Sequence, residues 1–358
     1  MRRLLLRLAL VAAVSTLTLA AAAPLSAAPP GGSFTVTPLV SDVPGAAALT
    51  DPNLVNGWGL TRSATTSPWW VADNGTDLST LYNAPSIGPL SINPLVVHVD
   101  GGPTGTVFAG IANNFPVGTR AGPASFIFAS EDGKIRAWRG GLTTALETAQ
   151  GESGAVYKGL AIAQPSTGNP LLYAADFNHA RVDVFNGAWA NVTPVGSFVD
   201  PMLPEGYAPF GIQTIGSRVF VSYAKQDAAK KDEVAGEGRG FVDAYDLAGN
   251  LLGRIAQHGQ LNAPWGLALA PPSFGRYAGD LLVGNFGDGQ INAFEETASG
   301  FEHRGTLRDA TDGKLVIDGL WALEFGNAGS NGNPDTLFFT AGPNDESHGL
   351  FGTITPAG

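Results

Sequence analysis

A chain of 358 residues is long enough for two average domains, yet 48 glycines, 25 prolines and a charged fraction of 14% suit short strands and tight turns rather than helices. Hydrophobic content of 44% excludes global disorder, and a net charge of −11 argues against nucleic acid or an anionic membrane surface as partner. With no cysteine, neither disulfides nor thiolate metal sites contribute.

Residues 1–27 read as an export signal: a basic start in Arg2, Arg3 and Arg7, an apolar stretch, then the small-residue cleavage site Leu25-Ser26-Ala27. Thr16, Thr18 and Pro24 make the apolar stretch too short for a membrane anchor. The expectation is a secreted or periplasmic protein with no membrane span after cleavage, whose mature part, residues 28–358, forms one domain.

After the signal, Phe34-Thr35-Val36-Thr37-Pro38-Leu39-Val40 alternates as a half-buried strand does. A Gly-Leu or Gly-Ile unit, or a close variant, then recurs at Gly59, Gly105, Gly159, Gly211, Gly266 and Gly319, with gaps of 46, 54, 52, 55 and 53 residues. That period, with no heptad between, predicts one four-stranded blade per repeat and hence an all-β, six-bladed β-propeller. Each repeat continues with an apolar strand ending in a small residue and a polar turn. Trp70-Val71-Ala72-Asp73, Tyr173-Ala174-Ala175-Asp176 and Leu282-Val283-Gly284-Asn285 are examples. An alternating third strand follows, as in Arg181-Val182-Asp183-Val184, and turns such as Asp132-Gly133 and Asp288-Gly289 have hairpin chemistry. Fourth, outermost strands are predicted at residues 95–100, 195–200, 251–257 and 302–308. The last repeat lacks one, so residues 34–40 are expected to complete the sixth blade and close the ring, removing sheet edges.

The chain resembles a family of exported bacterial propellers, distantly similar to NHL-repeat proteins, with no assigned activity. The resemblance rests on Val71-Ala72-Asp73-Asn74-Gly75-Thr76, Asn262-Ala263-Pro264-Trp265-Gly266-Leu267, Leu282-Val283-Gly284-Asn285-Phe286-Gly287-Asp288-Gly289 and His348-Gly349-Leu350-Phe351-Gly352, and covers almost the whole mature chain. It implies the propeller fold and no catalytic residues.

Turns after the second strand and loops entering the innermost strand share one face of a propeller. Candidate ligand-binding residues are therefore Asp73, Asn74, Asp176, Asn178, Asn285 and Asp288. Lys225 and Asp227 join them from a charged insertion spanning residues 224–240. A ring of carboxylates and amides suits a hard cation, which makes Ca²⁺ a candidate cofactor; the same residues also build turns by bonding their own backbone. The residues before the six glycines, Trp58, Thr104, Lys158, Phe210, Trp265 and Asp318, face the channel or pack between blades, with Lys158 and Asp318 either a polar pair across it or ordinary solvated residues. No nucleophile elbow and no His-Glu-x-x-His is present. Two functions compete: a monomeric module binding a small molecule or protein, or a metal-dependent hydrolase of the lactonase type acting at the channel.

Overall fold

The structure is a computed structural model that describes residues 32–119, 122–165 and 168–357; the expected export signal lies outside these residues. Six inner strands run side by side around a central axis: Gly57–Thr61, Pro103–Phe108, Tyr157–Ala163, Tyr207–Ile215, Pro264–Leu269 and Leu320–Phe325. Each pairs antiparallel with a second strand, and that with a third, so six sheets radiate as blades. The face where inner strands begin is called leading here, and the opposite face trailing. Among the described residues no helix is long and apolar enough to cross a membrane.

The recurring glycine is set by the distance between neighbouring inner strands. A Cβ on Gly59 would sit 2.5 Å from the Thr104 carbonyl oxygen, on Gly159 2.7 Å from that of Phe210, and on Gly266 2.5 Å from that of Trp321. Gly105 and Gly211 face the same obstruction from the next blade's backbone. In the sixth blade the equivalent position is Ala322, because Trp321, not Asp318, presents its carbonyl to Gly266. Gly319 instead serves the turn before the strand, at φ +64. The six-blade count holds, but the phase of the last repeat is three residues later than the glycine spacing predicts.

Second strands are apolar on both faces because each sheet is covered by two neighbours. Trp70, Ala72 and Leu81 of the first blade meet Phe126, Phe128 and Trp138 of the second. Val182 and Val184 of the third meet Ile212, Val219 and Val221 of the fourth, and comparable clusters fill the other gaps.

The N-terminal strand Phe34–Ser41 pairs antiparallel with Leu350–Pro356, from Phe34 opposite Pro356 to Ser41 opposite Leu350. The sixth blade is thus built from both ends of the domain. Fourth strands stand at Leu251–Gln257 and Gly300–Thr306 as expected, and also at Leu146–Gln150. In the first blade the position is divided between Ser91–Ile92 and Val97–His98. The strand expected at residues 195–200 does not form. Pro194, Pro201 and Gly196 (φ +80) turn the chain instead, and Phe198 drops inward with its ring 5.6 Å from Tyr173 and 5.2 Å from Tyr245.

Candidate functional site

The axis is filled on its leading side. Trp58 stacks on Trp321 with ring centroids 3.7 Å apart, and Trp265 and Phe210 lie edge-on to Trp58 at 6.3 and 6.4 Å. Phe286 stacks on the outside of Trp321 at 4.1 Å. Trp58, Phe210 and Trp265 project from the positions just before axial glycines and Trp321 from the position before Ala322, where one residue per blade points inward, while Phe286 follows a second strand. Two of the three indole nitrogens of the plug find partners, Trp321 Nε1 donating to Asn56 Oδ1 at 2.9 Å and Trp265 Nε1 to the Lys158 carbonyl at 2.9 Å, whereas Trp58 Nε1 has none among the described residues. Aromatic pairs of this kind add about 0.5–1.5 kcal/mol each beyond burial.

Lys158 is the one cationic member of the inner ring. Its side chain is 1% exposed, its ammonium lies 5.0 Å from the Trp58 ring centroid, and it reaches Glu131 Oε1 at 2.6 Å and Asp232 Oδ1 at 3.0 Å. Burial by itself would depress its pKa, but the Glu131 carboxylate, helped by Glu233 and Asp232, holds it above the ordinary value. Glu131 Oε2 also accepts from Asn74 Nδ2 at 3.3 Å, and Asn74 Oδ1 from Asn56 Nδ2 at 3.4 Å.

Glu346 closes the circle, with its Oε2 accepting from Asn56 Nδ2 at 2.5 Å. The backbone delivers it through three successive residues in the left-handed region: Asn344 (φ 57), Asp345 (φ 52) and Glu346 (φ 63); Asn56 shares that conformation at φ 49. Left-handed backbone costs roughly 1–2 kcal/mol per residue, and such strain concentrates at functional sites. Four carboxyl groups, Glu131, Asp232, Glu233 and Glu346, thus surround one ammonium. Burial, opposed by Lys158, pushes Glu233 up to about 7, and burial raises Glu346 as well.

The charged insertion crosses the leading face to reach this mouth. It is fastened by Val234 N–H to the Lys225 carbonyl (2.7 Å), Gly236 N–H to Asn262 Oδ1 (2.6 Å) and Gln226 Nε2 to the Phe177 carbonyl (2.5 Å). Asp232 and Glu233 come from its middle.

The predicted residues divide into two groups. Asn74 belongs to the mouth, Asn178 Nδ2 holds the insertion through the Lys230 carbonyl at 3.3 Å, and Asp227 Oδ1 accepts from Lys231 N–H at 2.9 Å, shaping it. Lys225 lies 5.7 Å from the Tyr207 ring centroid. The other four turn inward to their own loops. Asp73 is fully buried and accepts from Thr80 N–H at 2.8 Å. Asp176 accepts from Val156 and His179 N–H at 3.2 Å each and bonds His179 Nδ1 at 2.7 Å. Asn285 donates to Asp288 Oδ1 at 3.1 Å, and Asp288 accepts from Gln290 N–H at 3.1 Å. They do not assemble the oxygen ring expected around a cation, and among the described residues no group of three or more His, Asp or Glu side chains is arranged to hold a metal. Nor do Lys158 and Asp318 pair: Asp318 Oδ2 accepts from Asn344 N–H at 2.8 Å and so supports the left-handed turn.

Glu131, Glu346, Asp232 and Asn56 are mouth residues that turn chemistry alone does not rank above their neighbours. The available signal was position: Glu131 and Glu346 stand in the polar turns after second strands, on the same face as Asp73 and Asp176.

Fold and site together define a six-bladed β-propeller whose axis is plugged by indoles beneath an acid-rich mouth. No family model matches the sequence. The chain is 30% identical over 332 residues to the uncharacterized protein R648 of Acanthamoeba polyphaga mimivirus, covering 88% of this chain and 78% of that protein. It is 30% identical over 336 residues to the uncharacterized protein L690 of the same virus, covering 90% and 86%. The chain belongs to the family of these proteins. They are viral, whereas the sequence resemblance had implied bacterial relatives. Among solved structures, the soluble aldose sugar dehydrogenase of Escherichia coli in its apo form aligns with a TM-score of 0.53 at 13% identity, over 91% of this chain and 100% of that one. That likeness is one of fold.

Proposed function

We propose that this propeller is a binding module whose leading mouth receives a cationic group, an ammonium or guanidinium borne by a small molecule or a protein segment. The observation that carries the reading is the charge imbalance: four carboxyl groups face one buried ammonium, and two of them are kept costly to ionise. A second positive charge would relieve that repulsion, and the half-buried Glu233 and Glu346 are within reach of it. The indole plug supports a role in binding at the rim rather than passage through the axis. We further propose that the protein acts outside the cytoplasm, on the strength of the basic and apolar start of the chain.

Calorimetric titration with spermidine, arginine and CaCl₂ tests the first proposal. Spermidine or arginine should bind saturably, bind more weakly as salt is raised, and lose about tenfold in affinity in Glu346→Gln. No saturable binding by either amine, or indifference to Glu346→Gln, overturns it, and saturation by CaCl₂ alone would revive the metal-dependent reading.

A further inference from the structure

Beneath the indole plug the axis reopens. A narrow cavity runs past Gly59, Gly105 and Gly266 and meets, at Leu60, Thr106 and Gln213, a wider pocket of about 310 Å³ on the trailing face. That volume is at the lower end of the small-molecule range of about 300–1,000 Å³. Its wall is made by the ends of the inner strands and is partly apolar, with Phe108 and Ile162 on one side.

Its polar groups are left wanting partners. Glu324, in the last inner strand, has a side chain 21% exposed, and its only charged neighbour is Arg62, whose Nε stands 3.6 Å away. Arg62 is itself committed to backbone carbonyls, donating to Phe325 at 2.6 Å and Gly326 at 3.3 Å. No side-chain or backbone hydrogen bond contributes to the Glu324 carboxyl, and burial pushes it up to about 7. On another inner strand the Gln213 amide lines the same pocket. The wall carries one basic and one acidic group, so no cluster of like charges selects an ion here, in contrast to the leading mouth. The Glu324 carboxyl and the Gln213 amide together offer donors and acceptors, with the Phe108 ring in the same wall.

We propose that this trailing-face pocket is a second binding site, which takes a small neutral polyhydroxyl molecule the size of one sugar ring. Glu324 and Gln213 bond its hydroxyls and Phe108 covers its C–H face. The site is independent of the cation reading at the other mouth.

The test uses the full chain and titrates glucose, galactose, arabinose and myo-inositol by ligand-observed NMR and calorimetry. At least one should bind saturably. Glu324→Ala and Gln213→Leu should each weaken that binding by about tenfold, the loss of one ligand hydrogen bond, with the melting temperature recorded to show both variants folded. Glu346→Gln, at the opposite mouth, should leave it unchanged. Absence of saturable binding for all four compounds overturns the proposal. So does binding that survives both variants, and so does binding lost in Glu346→Gln, which would assign the sugar to the leading face.

Discussion

Lys158 shows how much one buried charge can organise. An ammonium beneath the surface of the ring is tolerated only because Glu131 and Asp232 meet it and Trp58 offers its ring face. Burial makes Glu233 expensive to ionise in spite of the nearby Lys158 ammonium, and the direction of its pH effect follows. Its pKa is raised from 4.5 to about 7, so its contribution to stability is full below the unfolded value and fades as the pH climbs through the folded one. Glu233→Gln should therefore reduce the drop in melting temperature between about pH 5 and about pH 8, with the variant gaining on the wild type mainly at the higher pH. Identical pH slopes would mean that Glu233 ionises in the fold as it does in the unfolded chain. At this scale the sequence pointed to Lys158 as an inward residue but paired it with Asp318. The error came from counting to Gly319, when the sixth axial position is Ala322 and its indole neighbour is Trp321.

Among the elements, the inner strands are the most tightly specified, since each must lie against the next with only a hydrogen atom between. Gly266→Ala puts a methyl 2.5 Å from the Trp321 carbonyl oxygen, and backbone on both sides has to move. The expected loss is about 1–3 kcal/mol, read as a lower melting temperature. Gly140, where an added Cβ meets nothing within 4 Å, is the control, and Gly140→Ala should melt as the wild type does. Equal melting of the two variants would show that the strands yield freely. The outermost strands tolerate far more. Phe198 substitutes for a whole strand in the third blade by packing between two tyrosines, an arrangement that the alternation of residues 195–200 does not announce.

The molecule as a whole depends on closure. Phe34–Ser41 supplies the outer strand of the sixth blade and places Phe34 among Phe274, Tyr277 and Leu307. Removing residues before 45 would expose the edge of Leu350–Pro356 and uncover that cluster, so the shortened protein should aggregate and lose its cooperative melt. A monomeric, equally stable truncated form, seen by size-exclusion chromatography with light scattering, would show that the ring holds without its clasp.

Repeat period, alternation and hairpin chemistry were enough to determine the six blades and the N-terminal clasp, because these are local or periodic properties that one blade's worth of chain can express. The turn residues Asp73, Asp176, Asn285 and Asp288 were visible for the same reason, and tertiary structure decided only that they face their own loops. What the folded ring alone decided is the mouth. Glu131, Lys158, Asp232 and Glu346 come from four different blades or insertions, and Asn56 and Glu346 meet across 290 residues. The trailing pocket is likewise shared by strand ends far apart in the chain. A site assembled across a closed ring leaves no signature in any single repeat, because its charges acquire meaning only when the blades close around them.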